Sequence, residues 1–114
     1  MNMIRNNVQL VGNLGKNPEV KTLPGGQKVA HFSIACTESK TDKEGRKIET
    51  TQWFNATAWE GLATIAEKYM VKGNKVAIAG KLVNNNWTDK EGVMRYSTEI
   101  ICSDILLLGG KDKS

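Results

Sequence analysis

Apolar and polar residues alternate over most of this chain, the period-two pattern of half-buried β-strands. Asn7 to Gly12 (NVQLVG) is a short run of this kind, followed by Gly-, Asn- and Pro-rich punctuation through Pro18. Leu23-Pro24-Gly25-Gly26 predicts a turn, because Pro fixes one φ and Gly supplies a positive one. Lys28 to Cys36 places Ala30, Phe32, Ile34 and Cys36 on one face. The polar, charged segment Thr37 to Lys47 then reads as the extended loop of a long hairpin, whose return strand is Gln52 to Trp59. The period changes once. Leu62, Ile65, Ala66, Tyr69 and Met70 keep helical spacing, with Gly73 as a C-terminal stop. Alternation resumes at Lys75 to Leu82, with Val76, Ile78 and Leu82 inward and Lys75, Ala77, Ala79 and Lys81 outward. Trp87 leads into a second turn, and Val93 to Leu108 forms a long final strand.

Three strands, one helix and two strands is the order of the OB-fold, an all-β, five-stranded Greek-key barrel with one α-helix between the third and fourth strands. Another small β-barrel with an interposed helix fits the same order. One domain is expected over residues 1–108, followed by a short flexible tail, 109–114, too polar to fold alone. The pentapeptide Thr-Asp-Lys-Glu-Gly occurs at Thr41–Gly45 and again at Thr88–Gly92. The flanks do not match, so shared turn chemistry explains it better than an internal repeat. Both tips would project from the barrel and fold over a ligand.

In Gln52–Trp59, Phe54, Ala56 and Ala58 form a small apolar face, and Trp53, Asn55, Thr57 and Trp59 form the other. Tryptophan is usually buried, but a buried pair would carry Asn55 and Thr57 inside with it, each needing partners. The polar companions point to an exposed aromatic surface, the kind on which unpaired bases stack. Trp87 is placed to join that platform. Strand Asn6 to Leu10 is a natural edge for pairing between subunits, through Asn6, Val8 and Leu10.

The formal charge of +4 over 114 residues is a mild basic excess, and its lysines are spread along the chain. That suits a surface following a phosphate backbone. No apolar run reaches membrane-spanning length and no signal peptide opens the sequence, so no membrane partner and a cytoplasmic location are expected. Cys36 and Cys102 lie in apolar strand contexts and are expected to be reduced. Without CxxC or a Cys/His cluster, no metal and no cofactor are expected. His31, the one histidine, alternates with Val29 and Ser33 and reads as structural. With no P-loop and no Ser/His/Asp set, and with Glu60 the lone carboxylate near Trp59, an enzyme is not expected. A protein-interaction module using the same aromatic face is the alternative. The basic balance favours nucleic acid.

Val11-Gly12-Asn13-Leu14-Gly15, Pro18-Glu19-Val20, Thr37-Glu38-Ser39 and Trp53 resemble, in order and spacing, the bacterial single-stranded DNA-binding protein family. Glu67-Lys68-Tyr69-Met70, Lys72-Gly73, Trp87-Thr88-Asp89 and Arg95-Tyr96-Ser97-Thr98-Glu99 extend the resemblance from about Asn7 to Cys102. Gly12 to Gly15 alone is a weak GxxG pattern; the set is specific. The resemblance implies a homotetramer of OB-folds that binds and protects single-stranded DNA, independent of sequence, during replication, recombination and repair, in the cytoplasm at the nucleoid. It places Trp53 and Trp87 at base-stacking positions and Trp59 where another aromatic is usual. Lys21, Lys43 and Lys72 fall at basic or DNA-proximal positions, and Lys81 is counted with them as a backbone contact. Lys40 stands where the family has an aromatic, so a phosphate contact replaces a stack there. Val83-Asn84-Asn85-Asn86 is neutral where relatives are basic, which predicts weaker binding at high salt. The family's acidic, Phe-tipped tail is not matched by Gly110-Lys111-Asp112-Lys113-Ser114, so recruitment of replication enzymes by that route is not expected.

Overall fold

The computed structural model describes residues 5–108. The elements in chain order are β1 (Val8–Leu14), β2 (Glu19–Thr22), β3 (Lys28–Thr41), β4 (Lys47–Trp59), α1 (Gly61–Tyr69), β5 (Lys75–Thr88) and β6 (Met94–Leu108). They form one sheet ordered β1-β5-β6-β4-β3-β2. A further pairing of β1 with β3, through Asn13 with Ala35 and Leu14 with Ile34, closes five strands into a barrel. β4 and β6 pair in parallel through Ala56 with Ile100 and Thr57 with Ile101. Within the closed ring α1 follows the third strand and precedes the fourth, as the OB-fold requires. The expected tail at 109–114 lies outside the described residues.

Alternation builds the core. Phe32 and Ile34 of β3, Ala56 and Ala58 of β4, Val76 and Ile78 of β5 and Ile100 of β6 all point inward and are buried. Each large aliphatic side chain so buried stabilises the fold by roughly 1.5–3 kcal/mol. α1 rests its small residues, Ala63 and Ala66, against the barrel, and Met70 at its C-cap is fully buried. That stripe rotates Tyr69 off the buried face, so Tyr69 is exposed rather than inward as its spacing suggested.

Three further expectations change. The Thr37–Lys47 loop is not extended: β3 and β4 stay paired out to Thr41 with Lys47, leaving a tight turn at 42–46. This arm projects past the core, so both its faces are polar and alternation vanishes while pairing persists, aided by a Thr37–Thr51 hydroxyl contact of 3.0 Å. For the same reason Leu82 is exposed, not inward, where β5 and β6 leave the barrel and continue to Thr88 with Met94. β2 is an added strand, too short to show a period, paired with β3 from Glu19 with His31 to Thr22 with Lys28.

The repeated pentapeptide is one turn used twice. Asp42 Oδ1 accepts the N–H groups of Glu44 and Arg46 at 2.9 and 2.8 Å. Asp89 Oδ1 accepts those of Glu91 and Val93, both at 2.9 Å. Gly45 and Gly92 take φ of 82° and 81°, the left-handed region that glycine enters without a Cβ penalty.

Candidate nucleic-acid interface

The register of β3 with β4 sets Val29 opposite Trp59, His31 opposite Thr57, Ser33 opposite Asn55 and Ala35 opposite Trp53. Opposed residues share a face, so these eight side chains form the outer surface of the barrel wall. Trp53 is 60% exposed and Trp59 37%. On the second arm the pairs Val83 with Glu99, Asn85 with Ser97 and Trp87 with Arg95 share a face, and Trp87 is 48% exposed. Hydrogen bonds join the two surfaces. Thr57 Oγ1 donates to Glu99 Oε2 at 2.7 Å, and Asn85 Nδ2 donates to Glu99 Oε1 at 3.1 Å. The three tryptophans therefore lie on one continuous outer face.

Thr57 departs from the expected exposure. It is 2% exposed and its hydroxyl is shared between Glu99 and His31 Nδ1, the latter at 3.1 Å. Its partners satisfy it, and the floor between Trp53 and Trp59 is a built polar groove of about 340 Å³. Lys16, Glu19, His31, Ser33, Asn55 and Glu99 line it. Sequence reasoning missed Glu99 and His31 as members of this surface. The outward parity of position 99 on the last strand was the available signal.

The lysines divide. Lys21 pairs with Val29, in one row with Trp59, so it faces the platform. Lys81 pairs with Ile101 and shares the parity of Val83, Asn85 and Trp87. Lys43 sits at the tip of the first arm. Lys72 lies in the turn after α1, which Asn17 Oδ1 ties to the Asn13–Asn17 segment by accepting the Lys72 N–H at 2.7 Å. Lys40 pairs with Ile48 and has the opposite parity to Trp53, so it belongs to the reverse face of its arm.

Asn6 precedes β1, and its side-chain amide clasps the Leu82 backbone in both directions, at 2.9 and 2.8 Å. Val8 and Leu10 are partly buried against the core. The exposed apolar residues beside them are Val11 at 52% and Leu106 at 61%, which with Leu10, Ala77 and Ala79 line a second groove. The free thiols are poor nucleophiles. Burial, then Glu38, raises the Cys36 pKa, and burial pushes Cys102 up to about 11. Among the described residues, no three His, Cys, Asp or Glu side chains gather as metal ligands, and no helix is long and apolar enough to cross a membrane.

Comparison with known proteins gives the same picture. The "Single-stranded DNA-binding protein 1" of Chlorobaculum tepidum is 42% identical over 108 residues, covering 94% of this chain and 67% of that protein. The single-stranded DNA-binding protein of Neisseria meningitidis serogroup A is 36% identical over 112 residues, covering 98% of this chain and 64% of that protein. This chain thus spans about two thirds of the length of these curated relatives. Among solved structures, Plasmodium falciparum SSB in complex with ssDNA matches with a TM-score of 0.84 and 31% identity, over 92% of this chain and 96% of that one. The model of the single-strand binding protein family matches residues 5–108, every element of the barrel and both arms, and the chain belongs to that family.

Proposed function

We propose that this protein binds and protects single-stranded DNA without regard to sequence, in replication, recombination and repair. The observation that carries this reading is the continuous outer face bearing Trp53, Trp59 and Trp87, all solvent-accessible, on a barrel of this family. Indoles stack on any base because every base has a π-face. A duplex hides those faces, so the platform selects single strands. Lys21 and Lys81 on the face of the tryptophans, Lys43 at the tip of the first arm and Lys72 in the turn after α1 neutralise phosphates as the strand crosses, releasing counterions; Lys40 does so from the reverse of the first arm. The act is binding, not catalysis, and its place is the cytoplasm, at the nucleoid.

The exposed apolar surface of β1, β5 and β6 supports assembly, as a homotetramer, through the β1 edge around Asn6, Val8 and Leu10. Burying Val11 and Leu106 there removes apolar area that a monomer leaves in water.

Tryptophan fluorescence during titration with oligo(dT), repeated with duplex competitor and across a salt series, tests the reading. Quenching by single strands alone, weakened by salt, is expected. Absence of quenching and of binding at low salt would reassign the aromatic face to a protein partner.

A further inference from the structure

We infer that His31 is a phosphate-contacting residue of the groove between Trp53 and Trp59, and that its imidazolium couples single-strand binding to proton uptake. This rests on the single-strand reading above and adds to it a ligand group, a subsite and a pH dependence.

The argument begins with one hydrogen. The Thr57 hydroxyl has a single proton, and it goes to Glu99 Oε2 at 2.7 Å. His31 Nδ1, 3.1 Å from the same oxygen, must then be the donor. The hydrogen-bond network thus assigns the Nδ1–H tautomer, and Nε2 is the nitrogen that gains or loses a proton. The ring is held by this bond while its side chain remains exposed to the groove.

Charges around it set the sign. β2 contributes Glu19, directly opposite His31, and Lys21 one row along. The β1–β2 turn contributes Lys16, ion-paired to Glu19 at 3.2 Å. β6 contributes Glu99, and β4 contributes the uncharged Asn55, Thr57 and Trp59. Lining the groove with His31 neutral are two carboxylates, Glu19 and Glu99, against one ammonium, Lys16, a net negative charge in the middle of an anion-binding surface. Protonating His31 cancels it and aims an N–H donor at the passing strand. A phosphate stabilises the imidazolium, so by linkage binding takes up a proton and affinity rises as pH falls.

The test is oligo(dT) affinity by tryptophan fluorescence at pH 8, 7 and 6 and fixed ionic strength, a range in which thymine carries no titrating group. Wild type, His31→Gln and His31→Lys are compared. Wild type is expected to bind about three- to tenfold tighter at pH 6 than at pH 8, within the limit of tenfold per pH unit for one linked proton. His31→Gln is expected to bind with an affinity that does not change from pH 8 to pH 6. His31→Lys should hold the pH 6 affinity throughout, since its charge does not titrate in this range. Calorimetry in two buffers of different ionisation enthalpy should show proton uptake for wild type alone. A flat wild-type profile, or an unchanged pH gain in His31→Gln, overturns the inference while leaving single-strand binding intact. No binding by wild type at any pH overturns the single-strand reading itself.

Discussion

Gly15 forms the seat of Trp53. A Cβ on Gly15 would lie 2.5 Å from Cζ3 and 2.9 Å from Cη2 of that indole, well inside van der Waals contact. The Gly15 N–H also donates to Ser33 O at 3.3 Å, fixing the β1–β2 turn against the outer face of β3. A bare backbone at position 15 therefore lets the most exposed of the three tryptophans lie where it does.

Gly15→Ala should make the indole move, because the flexible ring gives way before the backbone. Oligo(dT) affinity is expected to fall by less than the roughly 1–3 kcal/mol of a lost stack, with the barrel's melting temperature little changed. A shifted Trp emission maximum together with weaker binding is the expected signature. Unchanged affinity would mean that the ring's seat does not matter to the site.

The tryptophans should separate by what they cover. Each to-Ala change is expected to cost on the order of 1–3 kcal/mol of oligo(dT) binding. Trp59 alone should also cost stability, by about 1 kcal/mol. It faces Val29, which sits on the outer side of the barrel and is yet only 3% exposed. Thermal melts of Trp53→Ala, Trp59→Ala and Trp87→Ala check this, and equal melting temperatures would refute the assignment of Trp59 as a cover.

The barrel and its face are legible in the chain where one side of a strand meets the core. Ala30, Phe32 and Ile34 against His31 and Ser33 give β3 away. Past Cys36 both sides of the strand are wet, so the alternation that betrays a strand disappears although the hydrogen-bonded register continues to Thr41. Thr57 shows the other limit. Parity puts it outward correctly, but its burial comes from Glu99, forty-two residues on, which no local pattern reveals.

The second arm should open in acid. Asp89 has its pKa lowered by the Val93 N–H, then by Arg95 and the Glu91 N–H. A carboxyl depressed in the folded state contributes stability above its unfolded pKa, near 3.9, and loses it as pH falls through the lower folded value. The tip should stay closed at pH 5 and fray below the usual carboxylate range. Amide exchange of Gly92 from pH 5 down to pH 2, corrected for intrinsic rates, reads this directly. Asp89→Asn keeps an Oδ1 acceptor for the Glu91 and Val93 N–H groups but carries no titrating charge, so its protection should not change with pH in this range, and a pH-independent protection factor in wild type would oppose the argument.

Lysine changes should be read as salt slopes rather than affinities alone. Neutralising a phosphate contact removes roughly 0.7 from the slope of log K against log salt. Lys21→Ala is expected to show that loss, because Lys21 shares a row with Trp59. Lys40→Ala should show a smaller one, since Lys40 belongs to the reverse face of its arm. The opposite ranking would mean that the strand wraps around the arm rather than crossing the platform.

The proposed assembly surface can be tested without touching the platform. Val11, Ala77 and Leu106 occupy one outward row across β1, β5 and β6, with Gln9, Ala79 and Asp104 in the next. Val11 and Leu106 are largely exposed, so charging them costs the single subunit little. If copies pack on this row, each subunit brings the same residues to the contact, and Leu106→Glu places like charges in a surface that must shed water. Light scattering at micromolar concentration should then show wild type as a tetramer and Leu106→Glu as a smaller species with unchanged circular dichroism. Oligo(dT) binding by the variant should persist per barrel, because the platform lies on a different part of the sheet. A wild type that is already monomeric would overturn the assembly reading, and a variant that stays tetrameric would move the contact away from this row.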